Sequence, residues 1–283
     1  MARHDSAWFD AQYNNRARVP EHPEILARWS RASALSRDSL SRRIDVAYGS
    51  GPAEKLDIFP TTSANAPVLV FIHGGWWRTL DKSEQSFIAP AFVHAGAMVV
   101  LPNYDLCPKV GIDDIAMQMV RALAWIWRNA ALYGGDPNRI VVAGHSAGGH
   151  LASMVLCCDW KAVGSDLPKE LVRKALSISG VFDLEPLRHT TFLQPDLRLT
   201  PESVRRLSPA GFAAPRGTLY AVAGAEESEE FLRNNALIQS QWGRKTVPVS
   251  EALPGLNHFN VLHDLVEPGT RLHSLARESL GLP

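Results

Sequence analysis

The chain has 283 residues, 46% hydrophobic and 20% charged, a balance that supports a sizeable buried core and argues against disorder over most of its length. Lys+Arg is 29 and Asp+Glu is 29, so the formal net charge is zero and a basic footprint for nucleic acid is absent. No polybasic run suggests a membrane surface, and no apolar run reaches the ~18 residues of a transmembrane helix.

The first forty residues carry Trp8, Phe9, Tyr13 and Trp29 among many arginines, with Pro20 and Pro23 breaking the run. They read as a helical segment (1–40) packed on the outside of the domain. The opening stretch MARHDSAWFDAQYNNR lacks the apolar core of a signal peptide. Cys107, Cys157 and Cys158 form a poor disulfide framework and a poor zinc site. They read as buried, reduced thiols, and a cytoplasmic location is expected.

Ile44 to Tyr48 and Leu56 to Phe59 resemble a hairpin pair around Gly49-Ser50-Gly51-Pro52. Val68 to Ile72 and Met98 to Leu101 are continuous apolar runs, the pattern of strands buried on both faces. Ile112 to Tyr133 reads as an amphipathic helix, with Asp113 and Asp114 in its first turn and Gly134-Gly135-Asp136-Pro137 as its breaker. A strand at Ile140 to Ala143 and a helix at Gly149 to Cys158 follow. Ala175 to Ile178, Leu219 to Val222 and Val247 to Ala252 complete the strands, and Ser228 to Trp242 reads as a helix. Residues 181–214 are irregular and Pro-containing, which predicts a cap-like insertion over the sheet edge. Alternating strands and helices predict one α/β domain (1–283) with a mostly parallel central sheet and helices on both faces.

Gly144-His145-Ser146-Ala147-Gly148 fits G-x-S-x-G between the strand Ile140 to Ala143 and the following helix. That is the setting of a nucleophile elbow, in which glycines permit the sharp turn and Ser146 is presented for attack. His73-Gly74-Gly75-Trp76-Trp77 directly follows a strand. Backbone N–H groups of such a loop, with that of Ala147, are candidates to hold a developing oxyanion. A base and an acid should follow in the order serine, acid, histidine. His258, just after the strand Val247 to Ala252, is the candidate base, whereas His263 and His273 fall in helical segments and read as surface residues. After Leu219 to Val222 come Glu226, Glu227, Glu229 and Glu230 and no aspartate, so the acid is a glutamate, and spacing leaves Glu226 and Glu227 open. Asp183 is a lesser candidate acid, His150 reads as a buried hydrogen-bonded residue, and Asp105 and Cys107 as structural. Trp76, Trp77 and Phe182 are candidates for an aromatic substrate wall.

On these motifs the chain resembles the α/β-hydrolase superfamily on its hormone-sensitive-lipase-like side. It is most similar to the serine-type kynurenine formamidases (arylformamidases) and related esterases. Their H-G-G-x-W motif is matched by His73 to Trp77, and their G-H-S-A-G-x-H elbow by Gly144 to His150. Ser228-Glu229-Glu230-Phe231 and His258-Phe259 match the S-x-E-F and H-F patterns, and Tyr13-Asn14-Asn15-Arg16 also looks familial. By that match the acid is Glu227, where several relatives carry aspartate, with Glu226 as the alternative. The resemblance implies an α/β-hydrolase fold with a small cap or insertion. It implies a triad of Ser146, Glu227 and His258, and an oxyanion hole among Gly74, Gly75, Trp76 and Ala147. It implies a small acyl or formyl substrate, with no metal, no organic cofactor, no nucleic-acid and no membrane partner, and leaves a homodimer open. Short-chain carboxylesterase and acyltransferase activities remain as alternatives. A non-catalytic binding protein on the same fold is disfavoured because His258 is in place.

Overall fold

Val68, Val70 and Ile72 pack into one apolar cluster while Leu69 and Phe71 pack into another. This two-residue alternation is what a strand buried on both faces requires. The same division recurs at Val100 against Val99 and Leu101, and at Val142 against Val141 and Ala143, so the two clusters are the two covered faces of one sheet.

The computed structural model describes residues 4–283. Helices α1 (Ser6–Tyr13), α2 (Asn15–Arg18) and α3 (His22–Ser39) precede the strands β1 (Arg43–Ala47), β2 (Lys55–Phe59) and β3 (Ala66–Ile72). Next come α4 (Ala89–Val93), β4 (Met98–Pro102), α5 (Ile112–Asn129), β5 (Gly135–His145), α6 (Ala147–Leu156), α7 (Trp160–Val163) and β6 (Lys174–Ile178). Helices α8 (Gln194–Leu197) and α9 (Pro201–Leu207) lead to β7 (Thr218–Gly224), and α10 (Glu229–Thr246), β8 (Val249–Leu253), α11 (Val261–Val266) and α12 (Arg271–Leu280) complete the chain. The sheet has eight strands in the order β1-β2-β4-β3-β5-β6-β7-β8. Only the β1–β2 and β2–β4 pairs are antiparallel, which confirms the hairpin and the mostly parallel sheet. Ligands of such sheets bind beyond the carboxyl ends of the strands, and β5, β7 and β8 all deliver their following loops to that end.

The N-terminal helices expose one side to solvent and bury the other, with Tyr13 fully buried and Trp29 2% exposed. Three local expectations need correction. Pro23 falls in the first turn of α3, where a missing N–H costs nothing, and so it starts that helix instead of breaking it. Strand β5 begins inside the predicted breaker, with Gly135 paired to Ala66; only Gly134 (φ 88°) makes the turn. The segment after β6 leaves an interior strand and folds into helical turns, so it does not cover an edge of the sheet. Among the described residues no helix is long and apolar enough to cross a membrane.

Candidate active site

Strand β5 ends at His145 and α6 starts at Ala147, leaving Ser146 alone to make the turn at φ 57°, ψ −118°. A non-glycine residue held there stores about 1–3 kcal/mol and persists only where its surroundings enforce it. The enforcing contact is close: a Cβ on Gly148 would lie 2.0 Å from the Ile72 carbonyl oxygen of β3. Glycine at 148 therefore lets α6 rest directly on the neighbouring strand. The helix begins two residues earlier than Gly148-Gly149 suggests, because this packing overrides the low helix propensity of glycine.

The Ser146 Oγ–H donates to Nε2 of His258 at 3.1 Å, and Nδ1–H of His258 donates to Oε2 of Glu227 at 2.6 Å. The Glu227 side chain is fully buried. Its other oxygen, Oε1, accepts from Ser179 Oγ at 2.5 Å and from the Gly224 N–H at 2.7 Å. A carboxylate with three donors is fixed in position and stays an acceptor. Behind His258, its backbone carbonyl accepts from Nε2 of His145 at 2.8 Å. Burial, and then the neighbouring His258, holds the pKa of His145 well below the usual histidine value, so this ring is a neutral donor. Asn257 Oδ1 accepts from the N–H groups of Phe259 and Asn260, bracing the loop that carries His258.

The loop after β3 completes the site. Gly75, Trp76 and Trp77 all have positive φ (101°, 55° and 56°), which turns the loop over Ser146. A Cβ on Gly74 would sit 2.8 Å from the His145 carbonyl oxygen and 3.0 Å from Ser146 Cβ, so only glycine permits this approach. The N–H groups of Gly75, Trp76 and Ala147 make no hydrogen bond among the described residues. Burial lowers the pKa of His73 in the same loop; its ring stacks on Tyr104 at 4.1 Å, and Tyr104 Oη–H donates to the His73 carbonyl at 2.8 Å. These contacts stiffen the base of the loop.

Ser146, His258, Gly75 and Trp76 open onto one cavity of about 290 Å³. Its far wall is the N-terminal segment, from Tyr13 to Arg16 and Trp29. Tyr13 is anchored by donating its hydroxyl to Glu230 Oε2 at 2.6 Å, while Arg233 holds Glu230 and Asp183. Burial and the Glu230 charge push the Tyr13 pKa upward, so the phenol remains a donor. Phe192, from the segment after β6, closes a further side under the guanidinium of Arg78.

A family model described as BD-FAE matches residues 56–191. The kynurenine formamidase of Salmo salar is 31% identical over 250 residues, which cover 84% of this chain and 82% of that protein. The chain belongs to this family of α/β-hydrolases. Esterase LipC of Mycobacterium tuberculosis is 29% identical over 273 residues, 86% of this chain and 66% of that protein. Among solved structures, a candidate thioesterase from a Silicibacter species superposes with a TM-score of 0.83 at 28% identity, covering 94% of this chain and 97% of that one. The protein is accordingly a hydrolase of the formamidase and esterase type on an α/β-hydrolase scaffold.

The family motifs fall where the sequence places them, with several exceptions. Ser146, His258 and Glu227 meet, whereas Glu226 is exposed on the same turn. Asp183 pairs with Arg233 and accepts from the Glu185 N–H, a turn-capping role remote from His258. Trp76 lines the cavity, but Trp77 and Phe182 do not. Trp77 is fully buried against the edge of His150 at 5.0 Å, and Phe182 is 1% exposed. Both are core residues; for Trp77 the reason is that consecutive side chains of the left-handed turn at Trp76 and Trp77 point to different sides. His273 is not a surface residue: it is buried, donating Nδ1–H to the Leu265 carbonyl at 2.9 Å, and His263 is half-buried. Cys107 is buried, while Cys157 and Cys158 are half-buried, with thiols pushed up by burial to about 12 and about 11. Asp105 holds Gln118 and Lys109, a structural role.

Sequence reasoning missed Ser179 and His145. Ser179 directly follows β6 beside the exit of β7, at φ 53°. A hydroxyl at the tip of the strand next to the acid loop was the available signal. Ser179→Ala removes one charge-assisted donor from Glu227, a bond of about 1.5–3 kcal/mol, while Gly224 N–H remains. A fall in kcat of about tenfold is expected, read by steady-state kinetics beside an unchanged circular dichroism spectrum.

His150 gives a pH-dependent stability. It is buried, donates Nε2–H to the Leu207 carbonyl at 2.7 Å, and burial holds its pKa down at about 4. The folded protein therefore keeps this ring neutral while the unfolded chain binds a proton below about 6.5. The contribution is complete above about 6.5 and is lost as pH falls toward 4, roughly 3 kcal/mol at most. His150→Gln keeps a donor for Leu207 and should flatten the fall of Tm with pH across that window, read by thermal melts.

Proposed function

We propose that the protein hydrolyses an aryl formamide, of which N-formylkynurenine is the first to try, through an acyl-enzyme on Ser146. The observation that carries this reading is the continuous chain of hydrogen bonds from Ser146 through His258 to Glu227 at the floor of an aromatic-walled cavity. The kynurenine formamidase relative supports the formamide as the substrate class. His258 takes the serine proton as Oγ bonds to the formyl carbon, and Glu227 holds the ring in the required tautomer and stabilises the imidazolium. The N–H groups of Gly75, Trp76 and Ala147 receive the oxyanion. Collapse breaks the C–N bond, with His258 returning the proton to the departing arylamine. Water, deprotonated by His258, then displaces Ser146 and releases formate. No step calls for a metal or organic cofactor. Three unpaired cysteines suit a reducing, cytoplasmic compartment.

The test is kcat/KM for N-formylkynurenine beside short-chain aryl esters such as phenyl acetate. A clear preference for the formamide supports the reading. Ester turnover without formamide turnover would instead favour a carboxylesterase, the reading that the similarity to esterase LipC supports.

A further inference from the structure

One wall of the cavity carries polar groups that acyl transfer does not use. Asn15 is 5% exposed and borders the cavity, and its Nδ2 is buried with no hydrogen-bond partner. Trp29, 2% exposed, borders the same cavity, and its indole Nε1 also lacks a partner. Leaving a buried donor unmade costs about 1–3 kcal/mol, a cost that an acceptor seated against Asn15 would recover. Arg16 adjoins Asn15 at the exposed rim and forms no ion pair among the described residues. The other arginine of the cavity, Arg78, is already held by Asp196 and the Phe192 carbonyl. No aspartate or glutamate lines the cavity. The nearest acids are committed elsewhere, Glu227 to His258 and Glu230 to Tyr13 and Arg233.

We infer that Arg16 and Asn15 form a specificity subsite for a carboxylate carried on the leaving group of the substrate. The inference rests on the formamidase reading, in which the acyl group is a bare formyl and any carboxylate must ride on the arylamine. A guanidinium presents two parallel N–H donors that match a carboxylate, and the amide N–H of Asn15 supplies a donor to a remaining lone pair. The two residues are neighbours at the start of α2, so one short element sets their spacing. They touch the substrate remote from its reacting carbon and so act on which leaving group is accepted.

The experiment compares N-formylkynurenine with its α-carboxamide, in which a neutral amide replaces the carboxylate, for the wild type and for Arg16→Gln and Arg16→Glu. The wild type should favour the acid at least about tenfold in kcat/KM, with most of the difference in KM. The ratio should shrink in high salt, because the charge at the rim is screened. It should approach one in Arg16→Gln and drop below one in Arg16→Glu. Asn15→Ala should lower it by about threefold. A second pair, 3-acetoxybenzoate and 3-acetoxybenzamide, reads the same charge on an aryl ester. If neither formamide turns over while the esters do, the formamidase reading fails and the ester pair still decides the subsite. A wild-type ratio near one on every pair that turns over, or a ratio that survives Arg16→Gln, overturns the inference.

Discussion

Ser146→Ala is expected to lower kcat by about 10³-fold or more, with Tm within a few degrees of wild type. The expectation follows from what the substitution removes and what it keeps. Alanine retains the Cβ, so the strained backbone at φ 57° carries the same steric cost, and the packing of Gly148 on β3 is untouched. Only Oγ and its 3.1 Å bond to His258 are lost. His258→Ala should be as damaging and non-additive with the serine change, since either loss disables the same step. His263→Ala should be nearly silent, because that ring lies half-buried on α11 and has no part in the relay. Near-normal turnover by a folded Ser146→Ala protein would end the enzymatic reading altogether.

Much of this arrangement was legible in the sequence for a local reason. Ser146 and the loop His73 to Trp77 each sit at the end of a continuous apolar run, and such runs identify buried parallel strands without tertiary information, whereas His258 follows the mixed stretch Val247 to Ala252. Once strand order is fixed, their carboxyl ends meet. What stayed hidden depends on partners distant in the chain. Tyr13 and Trp29 look like aromatic residues of a basic surface segment until Tyr13 is seen bonded to Glu230, 217 residues away. An amphipathic pattern says that one face is buried, not whether protein or solvent lies beyond a given residue. Trp76 and Trp77 show the same limit at one-residue scale. Both belong to the motif, yet the turn aims one into the cavity and the other into the core. Ser179 left only the trace of a hydroxyl at a strand tip, because its partner is a side chain and no backbone pattern records that contact.

The choice between two adjacent glutamates gives the second large effect. Glu227→Gln should lower kcat by roughly 10²- to 10⁴-fold, while Glu226→Gln should stay within a few fold. The turn after β7 separates them: the Glu227 N–H bonds back to the Gly224 carbonyl, sending its side chain inward, whereas Glu226 faces solvent. Glutamine at 227 keeps the volume but puts an amide where the carboxylate stood. With Ser179 and Gly224 both donating to Oε1, the amide oxygen is drawn to that side and the NH2 group faces Nδ1 of His258. Two donors cannot share that contact, so the imidazole moves its proton to Nε2 and can no longer accept from Ser146. The loss is therefore one of tautomer as well as of charge, and it should be non-additive with His258→Ala. Glu227→Asp keeps the charge but shortens the reach by one methylene, so it can serve His258 or the Ser179 and Gly224 donors but not both at their present lengths. Intermediate activity is expected, above Glu227→Gln and below wild type. Steady-state kinetics on the four proteins checks the order. A severe defect in Glu226→Gln beside a mild one in Glu227→Gln would move the acid to the neighbouring residue and leave Ser146 and His258 in their roles.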